Sequence, residues 1–108
     1  MHAWIDILGK RWTVRYRKMD DKHGEADATK CRIDVNPKCC AEEQRDVILH
    51  ESIHALDAQL RTKLREKQVS ALASGLMHWI RANRPIVLWI LDAPEPRLPS
   101  RKQWRPPR

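Results

Sequence analysis

The sequence lacks a long apolar run. Its longest uninterrupted apolar stretch, Ile86 to Leu91, has six residues, whereas a helix that crosses a bilayer needs about 20. The first residues, MHAWIDILGKRW, also lack the basic stretch and apolar segment of a secretory signal. We therefore expect a cytoplasmic protein with no membrane partner.

Cysteine is also scarce. The chain has three cysteines, and two of them are adjacent: Cys31, Cys39 and Cys40. This odd set suits neither a disulfide framework nor the paired cysteines of a zinc knuckle. We expect reduced thiols, with Cys39 and Cys40 as buried small residues rather than metal ligands or inhibitory thiols.

The length and charge of the chain indicate one small domain. It has 108 residues, of which 42% are hydrophobic and 32% charged, a balance typical of globular rather than disordered proteins. A core of this size is thin, so a bound metal could contribute noticeably to stability. The formal net charge is +7.

Most of the proline and much of the positive charge lie in the last 15 residues, 94–108, which hold five of the seven prolines and a net charge of +4. This composition predicts an extended or disordered tail. Two interpretations stay open. The tail keeps the protein soluble, or it binds nucleic acid, with Trp104 stacking on a base.

Alternation of apolar and polar residues predicts two strands, over residues 11–17 and 30–35. The polar segment 19–27 between them has no apolar periodicity and predicts a loop or a wide turn. The two strands could pair antiparallel. Because a hairpin alone is only marginally stable, other elements should pack on its apolar face.

Helical periodicity follows the strands. Residues Ala41 to Leu60 contain no Gly or Pro, and they carry an apolar stripe formed by Leu49, Ile53, Leu56 and Leu60. A second amphipathic helix is predicted from about Arg65 to Asn83, with a stripe of Val69, Leu72, Ala73, Leu76, Trp79 and Ile80. Pro85 could open a short apolar helix through Leu91, which we expect to close the core.

The sequence His50-Glu51-Ser52-Ile53-His54 is an H-E-x-x-H motif inside the first predicted helix. Four residues turn through about 400°, so both imidazoles lie on one face and could hold one metal ion, for which zinc is suited. Glu51 lies about 100° away from His50, where it could accept a proton from a metal-bound water as a general base. Zinc lowers the pKa of such a water to about 7, which allows attack on an amide. The alternative is a pair of histidines that only serve packing.

A catalytic zinc needs a third protein ligand, and Glu66 is the best candidate. It extends the inward stripe of the second helix by one turn, and a chain reversal after Leu60 would return it to the His54 end of the first helix. The alternative is a carboxylate that only complements the helix dipole.

Asp57 lies on the same flank of the helix as the two histidines. Metal-bound histidines usually donate their second ring N–H to a carboxylate or a carbonyl, and Asp57 could accept that hydrogen bond. The alternative is a surface pair with Arg61, four residues later. His23, in the predicted loop, could approach the site and bind the oxyanion formed in amide attack; His78 is expected on the surface.

Several segments carry a family resemblance: ILGKRWTV, GEAD, CRIDVN, VILHESIHALD, and REKQVSALASGL with the following Asn83. With these the chain resembles small phage- and bacterium-encoded zinc metallopeptidases, the minimal gluzincin-like proteins, and more loosely the SprT-like and ImmA-type zincins. The resemblance covers most of residues 5–91, and VILHESIHALD is its specific element. The tail matches nothing in the family.

The resemblance implies an α+β fold, which we assign to residues 1–93; the tail at 94–108 follows it. A small twisted antiparallel sheet would pack on the H-E-x-x-H helix, with the second amphipathic helix behind it. His50, His54 and Glu66 would be the zinc ligands and Glu51 the general base. The strand before the helix would bind an extended peptide by main-chain pairing, which assigns substrate binding to Arg32, Ile33, Asp34 and Val35.

The leading hypothesis is therefore a zinc-dependent peptidase that acts on a peptide or protein substrate. A nucleic-acid-associated protein, SprT-like or dependent on the basic tail, is the second. In the third hypothesis, zinc is a purely structural ion and the protein catalyses no reaction.

Overall fold

The computed structural model describes residues 2–92, and the predicted tail at 94–108 lies outside them. The elements follow in the order β1 (His2–Ile7), β2 (Lys10–Tyr16), β3 (Gly24–Asp27), β4 (Arg32–Val35), α1 (Ala41–Leu60), α2 (Glu66–Ala82) and α3 (Arg84–Asp92). The fold is α+β, as the sequence predicts. The chain divides into two compact units between Ser74 and Gly75, inside α2.

The first unit contains a four-stranded mixed sheet in the order β1-β2-β4-β3. β1 and β2 form a hairpin whose two turn residues, Leu8 and Gly9, both have positive φ. That conformation matches the twist of the flanking strands, and the Gly9 N–H donates to Asp6 Oδ1 at 2.7 Å. β1 was not predicted from the sequence.

The prediction of an antiparallel sheet is wrong in one respect. The two predicted strands, now β2 and β4, are neighbours but run parallel, whereas β1 and β3 pair antiparallel with them. The reason is β3, which lies inside the segment predicted as a loop. The chain forms β3 at the edge of the sheet and then turns back, so β4 enters between β2 and β3 in the direction of β2.

One core cluster joins the inner face of the sheet to α1. The predicted alternation holds for β2 and β4, because Trp12, Val14, Ile33 and Val35 are buried. They pack with Val47 and Ala55 of α1 and Ile7 of β1. The Trp12 indole donates to Gln59 Oε1 at 2.8 Å, which fixes α1 over the hairpin.

α1 spans the predicted residues and buries two sides rather than one stripe. One side, with Val47 and Ala55, faces the sheet, and the other, with Ile53, packs with Val69 and Ala73 of α2. Since α1 lies between two partners, the predicted stripe is only partly correct, and Leu60 at its end is 58% exposed.

The second unit contains the end of α2 and all of α3. The expectation that the last helix closes the core is wrong, because α3 buries none of its residues and Leu88, Ile90 and Leu91 are exposed. Along α2, Leu72, Leu76, Trp79 and Ile80 of the predicted stripe are exposed too. None of the helices within residues 2–92 has the length and apolar character needed to cross a membrane.

Candidate metal centre

The two histidines of the motif lie one turn apart on α1. Their ring centroids are 5.1 Å apart and the rings are inclined by 60°. Both side chains are partly buried. α1 runs unbroken for 20 residues, because strong helix formers fill it and neither Gly nor Pro interrupts it.

Glu66, the first residue of α2, brings a carboxylate between these rings. Its Oε1 lies 2.8 Å from His50 Nε2 and its Oε2 lies 2.8 Å from His54 Nε2. One potential ligand atom from each of the three residues lies within 4.8 Å of the others. Partial burial raises the pKa of Glu66, but the two imidazoles outweigh it, so the pKa is lowered overall.

The turn between α1 and α2 sets the position of Glu66. Arg61 and Lys63 adopt left-handed backbone conformations, and the Arg61 N–H donates to the Asp57 carbonyl oxygen. The Asp57 carboxylate accepts hydrogen bonds from Thr62 Oγ1 at 2.5 Å and from the Leu64 N–H at 2.9 Å.

The hydrogen bonds of the Asp57 carboxylate correspond to neither of its two predicted roles, a hydrogen bond from an imidazole or a surface pair with Arg61. Its carboxylate holds the turn rather than orienting an imidazole. The Leu64 N–H and the Thr62 hydroxyl are the main reasons that the pKa of Asp57 is lowered. The turn that Asp57 holds ends at Glu66, so Asp57 acts on the site through the backbone.

Glu51 occupies a different position from the three clustered residues. Its side chain faces the sheet side of α1 and the residue is only 8% exposed. Burial is the largest cause of its raised pKa; the Glu66 and Glu25 charges add to it and the His50 charge opposes it. A carboxyl with a raised pKa beside a candidate metal site can take up and release a proton.

β3 covers one side of the site. A Cβ at Gly24 would collide with the Val47 side chain, and it would lie 3.1 Å from the Asp34 carbonyl oxygen and 3.4 Å from Glu51 Cγ. Only glycine thus lets β3 approach α1 so closely. A cleft of about 390 Å³ lies between the residues Gly24, Glu25 and Ala26 on one side and His50, Glu51, His54 and Glu66 on the other.

The substrate-binding assignment to Arg32, Ile33, Asp34 and Val35 is wrong. These residues form β4, whose two backbone edges are both paired, with β2 and β3. Ile33 and Val35 are in the core, and the buried Asp34 accepts from Arg15 Nε and Arg17 Nε. The edge strand beside the cleft is β3, which sequence reasoning missed; the Gly24 inside a polar loop was the available signal.

The other candidates are placed as follows. His23 is exposed, and it lines a cleft with His50, Glu51 and Glu66 on the side where β3 begins. His78 is exposed, as expected. Cys39 is buried, but Cys40 is exposed, so only one of the pair is a buried small residue.

The three clustered residues fit a zinc ion. Two imidazole nitrogens and a carboxylate are a donor set of catalytic zinc sites, and here one potential ligand atom of each residue lies within 4.8 Å of the others, in the cleft that Glu51 also lines. In comparisons with known proteins, no family model, curated protein or solved structure matches the chain.

Proposed function

We propose that the protein is a zinc-dependent peptidase, with His50, His54 and Glu66 as the metal ligands. The observation that supports this most strongly is the convergence of both imidazoles on one carboxylate, beside a buried glutamate and an open cleft. A packing role for the histidines would not need a carboxylate that reaches them from another helix. When bound, zinc supplies a Lewis acid that polarises a peptide carbonyl and lowers the pKa of a water molecule.

Glu51 is the general base of this proposal. Its carboxylate takes a proton from the attacking water and later gives it to the leaving amine, which balances the reaction. Burial raises the pKa of Glu51, and a raised pKa makes its carboxylate a stronger base, which favours the first of these two transfers.

The free edge of β3 holds the substrate. Among residues 2–92, β3 pairs on one side only, with β4, and its residues Gly24 to Ala26 line the cleft that contains the proposed catalytic residues. An extended peptide that pairs with this edge would lie beside the cleft that the proposed metal ligands also line. The substrate is thus a peptide, or an unfolded segment of a protein.

The test is the pair Glu51→Gln and Glu42→Gln. Glu51→Gln should keep zinc and lower the kcat/KM for a peptide library by about 100-fold or more. Glu42→Gln makes the same charge change in the first turn of the same helix and should keep activity. Full activity in Glu51→Gln would contradict the proposal, and active-site zinc without hydrolysis in the wild type would favour a structural ion.

Nucleic-acid binding by residues 94–108 is the second candidate. It depends on the net charge of +4 and on Trp104 alone. Deletion of these residues should then weaken DNA binding, and the affinity of the full chain should fall as salt rises. Unchanged or salt-independent binding would favour a solubilising tail. Because the three cysteines are free thiols, we also propose that the protein works in the reducing cytoplasm.

A further inference from the structure

A second group of potential metal ligands lies at the start of α1. It consists of His23 from the loop before β3, Cys39 from the turn after β4, and Glu43 from the first turn of α1. One potential ligand atom of each lies within 4.8 Å of the others. None of the three belongs to the group formed by His50, His54 and Glu66.

The segments that carry this group are held together by one buried amide. Asn36 is 5% exposed; its Nδ2 donates to the carbonyl oxygens of Met19 and Lys22 at 2.7 and 2.9 Å. Its backbone N–H donates to the His23 carbonyl oxygen, and its own carbonyl oxygen accepts from the Cys39 N–H. His23 and Cys39 are thus brought together by the backbone, before any ion binds.

We propose that His23, Cys39 and Glu43 bind a second divalent metal ion with the ligand preferences of zinc. An imidazole, a thiolate and a carboxylate are all common zinc ligands, and the soft thiolate selects against magnesium and calcium. As the sulfur–metal bond forms, the thiol releases its proton to solvent, so the site binds the dication with a thiolate and a carboxylate and becomes neutral.

Burial and the neighbouring Glu43 raise the pKa of the Cys39 thiol in the metal-free protein. A bound cation reverses this effect, because it favours the thiolate far more than Glu43 disfavours it.

The second ion would hold the start of β3 in place, beside the cleft that His23 lines together with His50, Glu51 and Glu66. His23 directly precedes Gly24, which lies against Glu51, and the His23 side chain also lines the cleft that contains His50 and Glu66. A metal bound to His23 ties the start of β3 to α1 and keeps the imidazole out of that cleft. The ion therefore has a structural role next to the proposed catalytic site.

Cobalt(II) titration of the reduced, metal-free full chain tests the site. Thiolate ligation gives a charge-transfer band in the near ultraviolet, which cobalt at His50, His54 and Glu66 cannot give because that group contains no sulfur. We expect the band in the wild type, in Cys40→Ser, in Cys31→Ser and in Glu66→Ala, and its loss in Cys39→Ser. His23→Ala should weaken cobalt binding about tenfold or more, since even the loss of a residue that only supports a ligand costs roughly 10- to 100-fold.

The outcomes separate the two metal groups. A folded wild-type protein without the band under saturating cobalt would overturn the second site and leave the peptidase proposal intact. A band lost in Cys40→Ser and kept in Cys39→Ser would overturn it as well. Absence of the band in the folded wild type overturns the second site even if a variant fails to fold, and a band that is present is assigned to Cys39 by the serine variants.

Discussion

Gly24 illustrates how a single missing side chain shapes the proposed site. β3 rests on α1 at this residue, and any Cβ there would meet Val47 and approach the Asp34 carbonyl oxygen. The sequence alone could not show this, because the close approach depends on two segments that are 23 residues apart. What the sequence did show was only that a glycine interrupts a polar segment.

Gly24→Ala should therefore destabilise the protein by about 1–3 kcal/mol, the usual cost of overpacking. Urea unfolding measures the change. Gly75→Ala is the matched control, because nothing lies within 4 Å of a Cβ at that helical position, and alanine there should stabilise α2 by about 0.5–1 kcal/mol. Equal stability of Gly24→Ala and the wild type would show that β3 does not lie as close to α1 as described.

Asp34 ties the outer face of the sheet together. It is buried, and it forms ion pairs with Arg15 and Arg17 at 2.7 and 2.8 Å. Burial raises the pKa of its carboxyl, but the hydrogen bonds from the two arginines outweigh this, so the pKa is lowered. A folded-state pKa below the unfolded one stabilises the fold above the unfolded pKa, and this stabilisation is lost as the pH falls through the folded pKa.

Asp34→Asn should lower the free energy of unfolding by roughly 1–3 kcal/mol at pH 7, a range that allows for the partial exposure of the arginines. The difference from the wild type should shrink as the pH falls below about 4, where the unfolded carboxyl becomes protonated. Urea unfolding of the metal-free proteins at several pH values measures it. Asp20→Asn, at an exposed loop position, should change stability by less than about 0.5 kcal/mol. A pH-independent difference would contradict the ion-pair account.

At the scale of elements, the turn between α1 and α2 decides whether the site exists. Two of the proposed ligands come from α1 and the third from the first residue of α2, so their meeting depends on residues 61–65. The chain enters this turn with Arg61 in the left-handed region, which costs a non-glycine residue roughly 1–2 kcal/mol. The hydrogen bonds to Asp57 offset that cost.

Asp57→Ala should thus weaken zinc binding at His50, His54 and Glu66 by about tenfold, the lower end for residues that support a ligand. Asp57→Asn keeps a side-chain oxygen that can accept from the Leu64 N–H, and it should retain most of the affinity. Competition with a chromophoric chelator in a Cys39→Ser background measures the affinity of this site alone. Unchanged affinity in Asp57→Ala would show that the turn positions Glu66 without Asp57.

The elements also show what could be predicted from the sequence. The bounds of α1 and α2 follow from helical periodicity over about five turns each, and the alternation in β2 is equally clear. β3 has four residues, all partly buried, so it lacks the apolar alternation that reveals a strand. The parallel pairing of β2 and β4 depends on where β3 lies, which no local pattern encodes.

In the molecule as a whole, the part of the candidate site that could be predicted is the part set by residue spacing within one helix. His50, Glu51 and His54 follow from the motif, and Glu66 from its place at the start of the next helix. The free edge of β3 and the turn role of Asp57 depend on tertiary packing. The group of His23, Cys39 and Glu43 draws on three segments, so no spacing rule indicates it.

Metal binding should be coupled to folding. The proposed ligands lie on different elements of a chain whose core is small, so an ion that binds only the folded state raises the free energy of unfolding. The zinc content of the purified protein therefore shows whether the chain has folded and whether the proposed ligands bind the ion. This measurement requires no knowledge of the substrate.

The most direct test is zinc per chain in untagged Cys39→Ser protein, compared with the same protein carrying Glu66→Ala. Cys39→Ser removes the sulfur of the second group and leaves the site of the proposed peptidase. We predict close to one zinc per chain in the first protein and a sharp loss in the second, and Glu42→Gln in the same background should retain its zinc. No zinc in a folded protein supplied with it, or equal zinc in both, would contradict the three-ligand site.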